Sequence, residues 1–223
     1  MAQVVRTIQR VSRDLVERYR ELGSATVHEA SGGQGALSSR IKPIAPEMKV
    51  CGTAVTVTVR PGDNLLLHKA IYVAQAGDVI VADAQGFTEA GPWGEIMAVA
   101  AMARGIAGLV ISGSVRDSVE MSALGFPAFS CGLCIKGTEK VSLGLINHPL
   151  NLDNITIMPG DLILGDRDGV VVVRREDAAA VLDKSLAREE KERTIKERLR
   201  KGESTLDIYG FGDILKARGL TEE

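Results

Sequence analysis

The chain is poor in cysteine, and it lacks both a long apolar run near its start and an excess of charge of one sign. Cys51, Cys131 and Cys134 are an odd number and cannot all pair, so reduced thiols and a cytoplasmic setting are expected rather than a disulfide framework. Residues 1–20 mix charges into the apolar positions, which reads as neither a signal peptide nor a membrane span. The 27 basic and 29 acidic residues leave a net charge of −2, so no nucleic acid and no membrane is expected as a partner.

Several motifs are also incomplete. Cys131-Gly-Leu-Cys134 has the spacing of half a zinc site, but no second such pair or His pair accompanies it, and buried free thiols are expected. Gly32-Gly33-Gln34-Gly35 follows a helical stretch rather than a strand, so it fails the dinucleotide fingerprint. Asp166-Arg-Asp-Gly169 lacks the distant glutamate of a calcium loop and reads as a hairpin turn. His28, His68 and His148 are scattered.

What is present suits an α/β protein, with apolar residues at 45% and charged residues at 25% of a 223-residue chain. That length fits a single domain over residues 1–223, with residues from about 175 onward as a helical extension. Val11, Leu15, Val16, Tyr19 and Leu22 have helical spacing that closes at Gly23, and Thr26 to Ala30 begins a second short helix. Residues 53–59 alternate as a strand, Pro61-Gly62-Asp63 breaks it, and residues 64–75 read as a helix. Residues 78–84, 94–104 and 109–112 read as strand, helix and strand, a βαβ crossover with parallel strands. A short helix is expected over 118–124, stopped by Gly125, and strands over 128–130, 155–157, 161–164 and 170–173. Residues 176–201 form a long charged helix with few apolar positions after Leu186, a pattern better explained by packing on another subunit than by a monomer core.

In a parallel βαβ unit the loops after the two strands open at the same sheet edge, where ligands of open α/β sheets bind. One loop delivers Gly94-Glu95-Ile96-Met97 at a helix start, with free backbone N–H groups suited to a carboxylate or phosphate. The other delivers Arg116-Asp117-x-x-Glu120, a permanent cation beside hard oxygen ligands of the kind magnesium and manganese prefer. On the residues alone, a second reading competes. Asp117 and Glu120 also suit the N-terminus of a short helix, where each carboxylate caps a backbone N–H. Asn64 and His68 stand one helical turn apart after the Pro-Gly-Asp turn.

At these residues the chain resembles the 4-hydroxy-4-methyl-2-oxoglutarate / 4-carboxy-4-hydroxy-2-oxoadipate aldolases, class II pyruvate aldolases related to the regulator of ribonuclease activity A. The family's signature, an acidic or glycine position, twenty residues, then Arg-Asp-x-x-acid, is matched by Glu95, Arg116-Asp117 and Glu120. Cys51-Gly-Thr-Ala-Val-Thr, Pro61-Gly-Asp-Asn-Leu, Trp93-Gly-Glu, Gly125-Phe-Pro, Gly137-Thr-Glu-Lys140 and Pro159-Gly-Asp are similar too, in the same order, over roughly residues 25–210.

The resemblance implies an αββα sandwich and a homotrimer or homohexamer with the active site at a subunit interface. It implies Mg²⁺ or Mn²⁺ bound directly by Asp117, with Glu95 and Glu120 holding metal-bound waters. The substrate carboxylate would lie on the amides of Gly94 to Met97, and Arg116 would face the C2 oxygen that becomes an enolate. Asn64, His68 and Lys140 would contact the substrate or its surroundings, and Glu192 would reach the site from a neighbouring subunit. The implied activity is aldol cleavage of a small oxo acid. 4-Carboxy-4-hydroxy-2-oxoadipate would give pyruvate and oxaloacetate, and 4-hydroxy-4-methyl-2-oxoglutarate two pyruvates, in aromatic compound catabolism. The competing functions are a non-catalytic binding protein like the ribonuclease regulator and an oxaloacetate decarboxylase.

Overall fold

The computed structural model describes residues 2–221. In chain order, a short strand β1 (Gln3–Val4) and helices α1 (Arg13–Arg20) and α2 (Ser24–Ala30) precede strands β2 (Lys42–Pro43) and β3 (Val50–Thr58). Three crossovers follow: α3 (Leu65–Ile71) leads to β4 (Asp78–Asp83), α4 (Glu95–Met102) to β5 (Gly108–Ile111), and β6 (Ser114–Val115) with α5 (Ser118–Leu124) to β7 (Ala128–Ser130). Next come β8 (Gly132–Leu133), β9 (Leu145–Ile146), and the hairpins β10 (Leu150–Leu152)–β11 (Ile155–Ile157) and β12 (Leu162–Asp166)–β13 (Gly169–Val173). A 3₁₀ turn at Arg175–Asp177 opens α6 (Ala178–Arg200), and α7 (Thr205–Tyr209) and α8 (Phe211–Ala217) follow it.

The main strands are apolar on both faces, so each must be covered twice. β3, β4, β5 and β7 run parallel, while β12 joins the start of β3 antiparallel, with Leu162 opposite Thr53. Three apolar clusters then separate four layers. Val55, Val57, Ile80, Ala82, Leu109 and Ile111 pack against α3, α4 and α5. On the other face Ala54, Val79, Val81 and Val110 meet Ile163, Val170 and Val172, with Leu150, Leu152 and Ile157. The outer face of the last hairpin, through Leu162, Leu164, Val171 and Val173, packs against α1, α2 and the first turns of α6. This is an α/β protein built as an αββα sandwich.

β3 belongs to both inner layers, and Gly52 permits the close approach that this requires. A Cβ there would run into the carbonyl of Gly77 and the side chain of Val79. Cys51 faces the outer helices, its thiol donating to the Val16 carbonyl at 3.4 Å. Burial pushes that thiol up to about 12, which makes it unreactive.

Some local expectations are corrected. The helix expected over residues 64–75 is confined to Leu65–Ile71. The strand expected from Thr53 begins at Val50, because its first residues pair with β12. The long C-terminal helix starts at Ala178 rather than Glu176, after the 3₁₀ turn, and α7 and α8 beyond it had no sequence counterpart. Cys131 and Cys134 are free but only partly buried. The Asp166–Gly169 segment does turn the β12–β13 hairpin, with Asp166 accepting from the Ser24 N–H and hydroxyl at 2.8 and 2.6 Å.

Asp63 ties the start of α3 to a distant loop. Its buried carboxylate accepts from the backbone N–H groups of Leu65, Val141 and Ser142, each at 2.8 Å. Burial opposes ionisation, but these backbone donors outweigh it and hold the carboxyl below its ordinary value. Because the folded-state value is depressed, the stabilisation is present above about pH 4, the unfolded value, and is lost as pH falls through the folded value. Asp63→Asn should therefore cost about 2 kcal/mol at pH 7. Urea unfolding should show the gap from the native chain narrowing below about pH 4.

Candidate active site

The three crossovers place the C-terminal ends of β3, β4 and β5 at one edge, and a cavity of about 290 Å³ opens there. Asn64, His68, Gly91, Pro92, Gly94, Ile96, Met97, Arg116, Asp117, Gly137, Thr138 and Lys140 line it. Eight of the sequence-derived site residues, Asn64, His68, Gly94, Ile96, Met97, Arg116, Asp117 and Lys140, are thus brought together from four separate segments.

Asp117 bears on both readings, capping and chemistry. It occupies the N-cap position of α5 but makes no capping hydrogen bond, and its backbone is left-handed, with φ 53° and ψ 42°. For a residue with a Cβ that conformation costs on the order of 1–3 kcal/mol. It turns the carboxylate away from its own helix and across to α4, where Oδ2 accepts the Glu95 N–H at 3.1 Å. Arg116 Nε stands 3.7 Å from the same oxygen. Oδ1 receives no protein donor among the described residues. Gly94 makes this meeting possible, since a Cβ there would strike Asp117 Oδ2 and the Arg116 side chain.

The α4 N-terminus has less free capacity than its four residues suggested. The Glu95 amide is taken by Asp117, and that of Met97 donates to the Gly94 carbonyl at 3.1 Å. The amides of Gly94 and Ile96 have no acceptor among the described residues. The loop before α4 is anchored by Trp93, fully buried and stacked on Phe126 with ring centroids 5.8 Å apart. The Trp93 carbonyl accepts the Arg116 N–H at 2.9 Å, so one buried indole fixes both halves of the site.

The opposite wall comes from α3 and the loop that Asp63 holds. Asn64 is buried; its Nδ2 donates to the Pro92 carbonyl at 3.0 Å, while its Oδ1 has no partner. A buried unpaired acceptor lining a cavity is suited to a ligand or water that donates. Burial, and then the charge of Lys140, lowers the pKa of His68 from its ordinary value, so the imidazole is neutral at neutral pH. Thr138 lines the cavity too, and the sequence reading did not single it out. It lies within the Gly137-Thr-Glu-Lys140 segment, and its placement depends on pairing between Asp63 and Glu139, far apart in the chain.

Glu95, Glu120 and Glu192 do not line the cavity. Glu95 begins α4 and Glu120 lies exposed on α5. Glu192 sits on α6 in the opposite outer layer, paired with Arg188 at 3.0 Å and Lys196 at 3.7 Å. Among the described residues no three of His, Cys, Asp and Glu stand close enough to enclose a metal ion. A larger cavity of about 640 Å³ lies between the loop after α2, β11, β13 and α6, and holds none of the sequence-derived site residues. No helix of the described residues is long and apolar enough to cross a membrane.

Comparison with known proteins gives the family and the fold. A protein of Halalkalibacterium halodurans, provisionally named a 4-hydroxy-4-methyl-2-oxoglutarate aldolase, is 40% identical over 172 residues, covering 77% of this chain and 82% of its own. The crystal structure of an uncharacterized protein from Pseudomonas syringae superposes with a TM-score of 0.79 at 31% identity, over 88% of this chain and 97% of that one. RraAS2 of Streptomyces coelicolor, described as an unusual member of the RNase ES inhibitor RraA family, superposes with a TM-score of 0.75 at 27% identity, over 85% and 100%. With residues 22–172 matching the family described as RraA-like, Aldolase/RraA, the chain belongs to that family.

Proposed function

We propose that the chain is a lyase that cleaves a 4-hydroxy-2-oxo acid with the help of a divalent cation, releasing pyruvate. The observation that carries this is Asp117: a carboxylate held in a costly backbone conformation, turned from its own helix, with one oxygen unengaged beside Arg116 and a helix N-terminus. A residue that only capped α5 would need none of this. The aldolase name of the Halalkalibacterium relative supports the same reading.

A hard cation such as Mg²⁺ or Mn²⁺ would take Asp117 Oδ1 as its one direct protein ligand, with Glu95 and Glu120, which stand outside the cavity lining, reaching it only through water. Bound there, such an ion would supply Lewis-acid polarisation of the substrate C2 carbonyl. The protein's own groups account for the rest. The free amides of Gly94 and Ile96, at the positive end of α4, hold the substrate carboxylate. Arg116 donates to the C2 oxygen as negative charge gathers on it while the C3–C4 bond breaks. The C4 hydroxyl proton must leave to an acceptor within hydrogen-bond reach, and the neutral His68 can take it. Its loss turns C4 into a carbonyl, and protonation of the enolate at C3 completes pyruvate. Lys140 and Asn64 meet the substituent on C4, which differs between a carboxymethyl and a methyl substrate.

The site is open on one side, so we assign its completion to a neighbouring copy in a homotrimer or homohexamer, with Glu192 or another acid of α6 reaching in.

Pyruvate release from 4-carboxy-4-hydroxy-2-oxoadipate and from 4-hydroxy-4-methyl-2-oxoglutarate, coupled to lactate dehydrogenase, tests the reading. Turnover should vanish after EDTA treatment and return with Mg²⁺ or Mn²⁺. No turnover from folded, metal-loaded protein would move the assignment to oxaloacetate decarboxylation or to a binding role such as that named for the Streptomyces relative. Arg116→Ala and Asp117→Ala should each lower kcat/KM by about 100-fold or more with an unchanged circular dichroism spectrum. Near-native rates in either variant would sink the assignment. The His68 imidazole should titrate below about 6.5 by NMR, and Lys140→Ala should raise that value only in part, since burial is the larger cause.

A further inference from the structure

A second concentration of charge lies at the other end of the sheet. A cavity of about 330 Å³ opens beside the starts of β4 and β5, and another of about 320 Å³ adjoins it, with Arg20 and Ala107 lining both. β4 has six residues, so about 20 Å of strand separates this cleft from the edge that carries Asp117. The cleft and the cavity beside Asp117 share no lining residue.

The hollow exists because its floor has almost no side chains. Ala76, Gly77, Gly105 and Ala107 form it, and the two glycines turn the chain ahead of β4 and β5 at φ 88° and 70°. A Cβ on Gly77 would meet nothing within 4 Å, so that side of the turn is open. One face of α1 makes the wall. Arg13, Val16, Glu17 and Arg20 follow the i, i+3, i+4, i+7 spacing of a single helix face. Val16 and Tyr19 are buried in the outer apolar cluster, which fixes where the stems of Arg13 and Arg20 begin.

The acids in the cleft do not cancel its bases. Asp78 is buried, and its carboxylate accepts from Arg10 Nε and Nη2 at 2.8 and 2.9 Å and from the Gln75 N–H at 2.7 Å. That pairing neutralises Asp78 and holds Arg10 as a fixed part of the wall. Glu17 stands 3.4 Å from Arg20 Nη1, an exposed contact that holds little. Arg13 and Lys49 line the cleft and make no salt bridge among the described residues. Arg10, Arg13, Arg20 and Lys49 thus face only Asp78 and Glu17, an excess of two positive charges in a chain whose total is −2. Solvated surface bases need no hollow; these converge on one with a bare floor.

We infer that this cleft binds a small polyanion, a molecule carrying at least two phosphate or carboxylate groups close together. The planar forks of Arg13 and Arg20 suit the oxygens of either group. Arg20 lines both halves and bridges the two anionic groups, with Arg13 meeting one in the first half and Lys49 the other in the second. A single anion would leave the cation of one half unmatched. The enclosed size is that of a metabolite site.

The test is calorimetric titration of the full, metal-stripped chain at low ionic strength with pyrophosphate, orthophosphate and citrate. Pyrophosphate should bind saturably and raise Tm, and orthophosphate should bind at least about tenfold more weakly. Arg13→Gln and Lys49→Gln should each weaken pyrophosphate about tenfold with an unchanged circular dichroism spectrum. Arg116→Ala should bind it as the native chain does. Citrate binding as tightly as pyrophosphate would assign the cleft to polycarboxylates, and citrate failing to bind would assign it to phosphorylated molecules; either result supports the site. Neither heat nor a rise in Tm with pyrophosphate or citrate would overturn the inference. So would orthophosphate matching pyrophosphate. A site lost in Arg116→Ala but kept in Arg13→Gln and Lys49→Gln would place the anion beside Asp117 and overturn it equally. None of these measurements involves turnover, so absent pyruvate release would remove the aldolase reading and leave the cleft standing.

Discussion

The whole fold depends on one strand that must be buried twice. β3 is covered almost from end to end, pairs with β4 along one side, and gives its other side first to β12 and then, at Val57, to β9. Because it joins the inner layers, the helices on either outside are positioned relative to each other through it. The packing of Gly52 against the Gly77 carbonyl is where that closeness is greatest. The chain leaves β3 at the sheet edge where the cavity opens, so the strand that organises the core also sets the position of Asn64 and His68.

The crossover around α4 was legible because its signals are local and redundant: an apolar strand, a helix closed by Gly105, and a second apolar strand. Topology then brought Gly94 and Arg116 to one edge with no further information. The four-layer arrangement came from family resemblance, since alternation within strands this apolar does not reveal which face meets which layer. Helix ends were less legible. Asn64 to Gln75 carries helix-compatible residues to its end, but the chain must turn at Tyr72 to enter β4, and tertiary closure outweighs propensity there. The shape of the C-terminal hairpin depends on the Arg198–Glu203 pair and on two caps, none of which gives a periodic signal.

Asp117 shows most plainly where a sequence stops being informative. Its spacing to Glu120 suited a cap, and its position matched a cap, yet the carboxylate points elsewhere. What separates the two readings is a backbone dihedral, and dihedrals of that kind are set by contacts from Trp93 and Gly94 rather than by neighbours in the chain. The same holds for Thr138, whose place follows from Asp63 more than sixty residues before it.

The left-handed backbone at residue 117 has one more consequence. Glycine adopts that conformation without a Cβ penalty, so backbone preference alone gives no reason for a carboxylate here. Glycine there would relax the backbone and remove the oxygens that meet the Glu95 N–H and Arg116. Aspartate at this position keeps a carboxylate beside Arg116 and the start of α4 where glycine would carry less backbone strain.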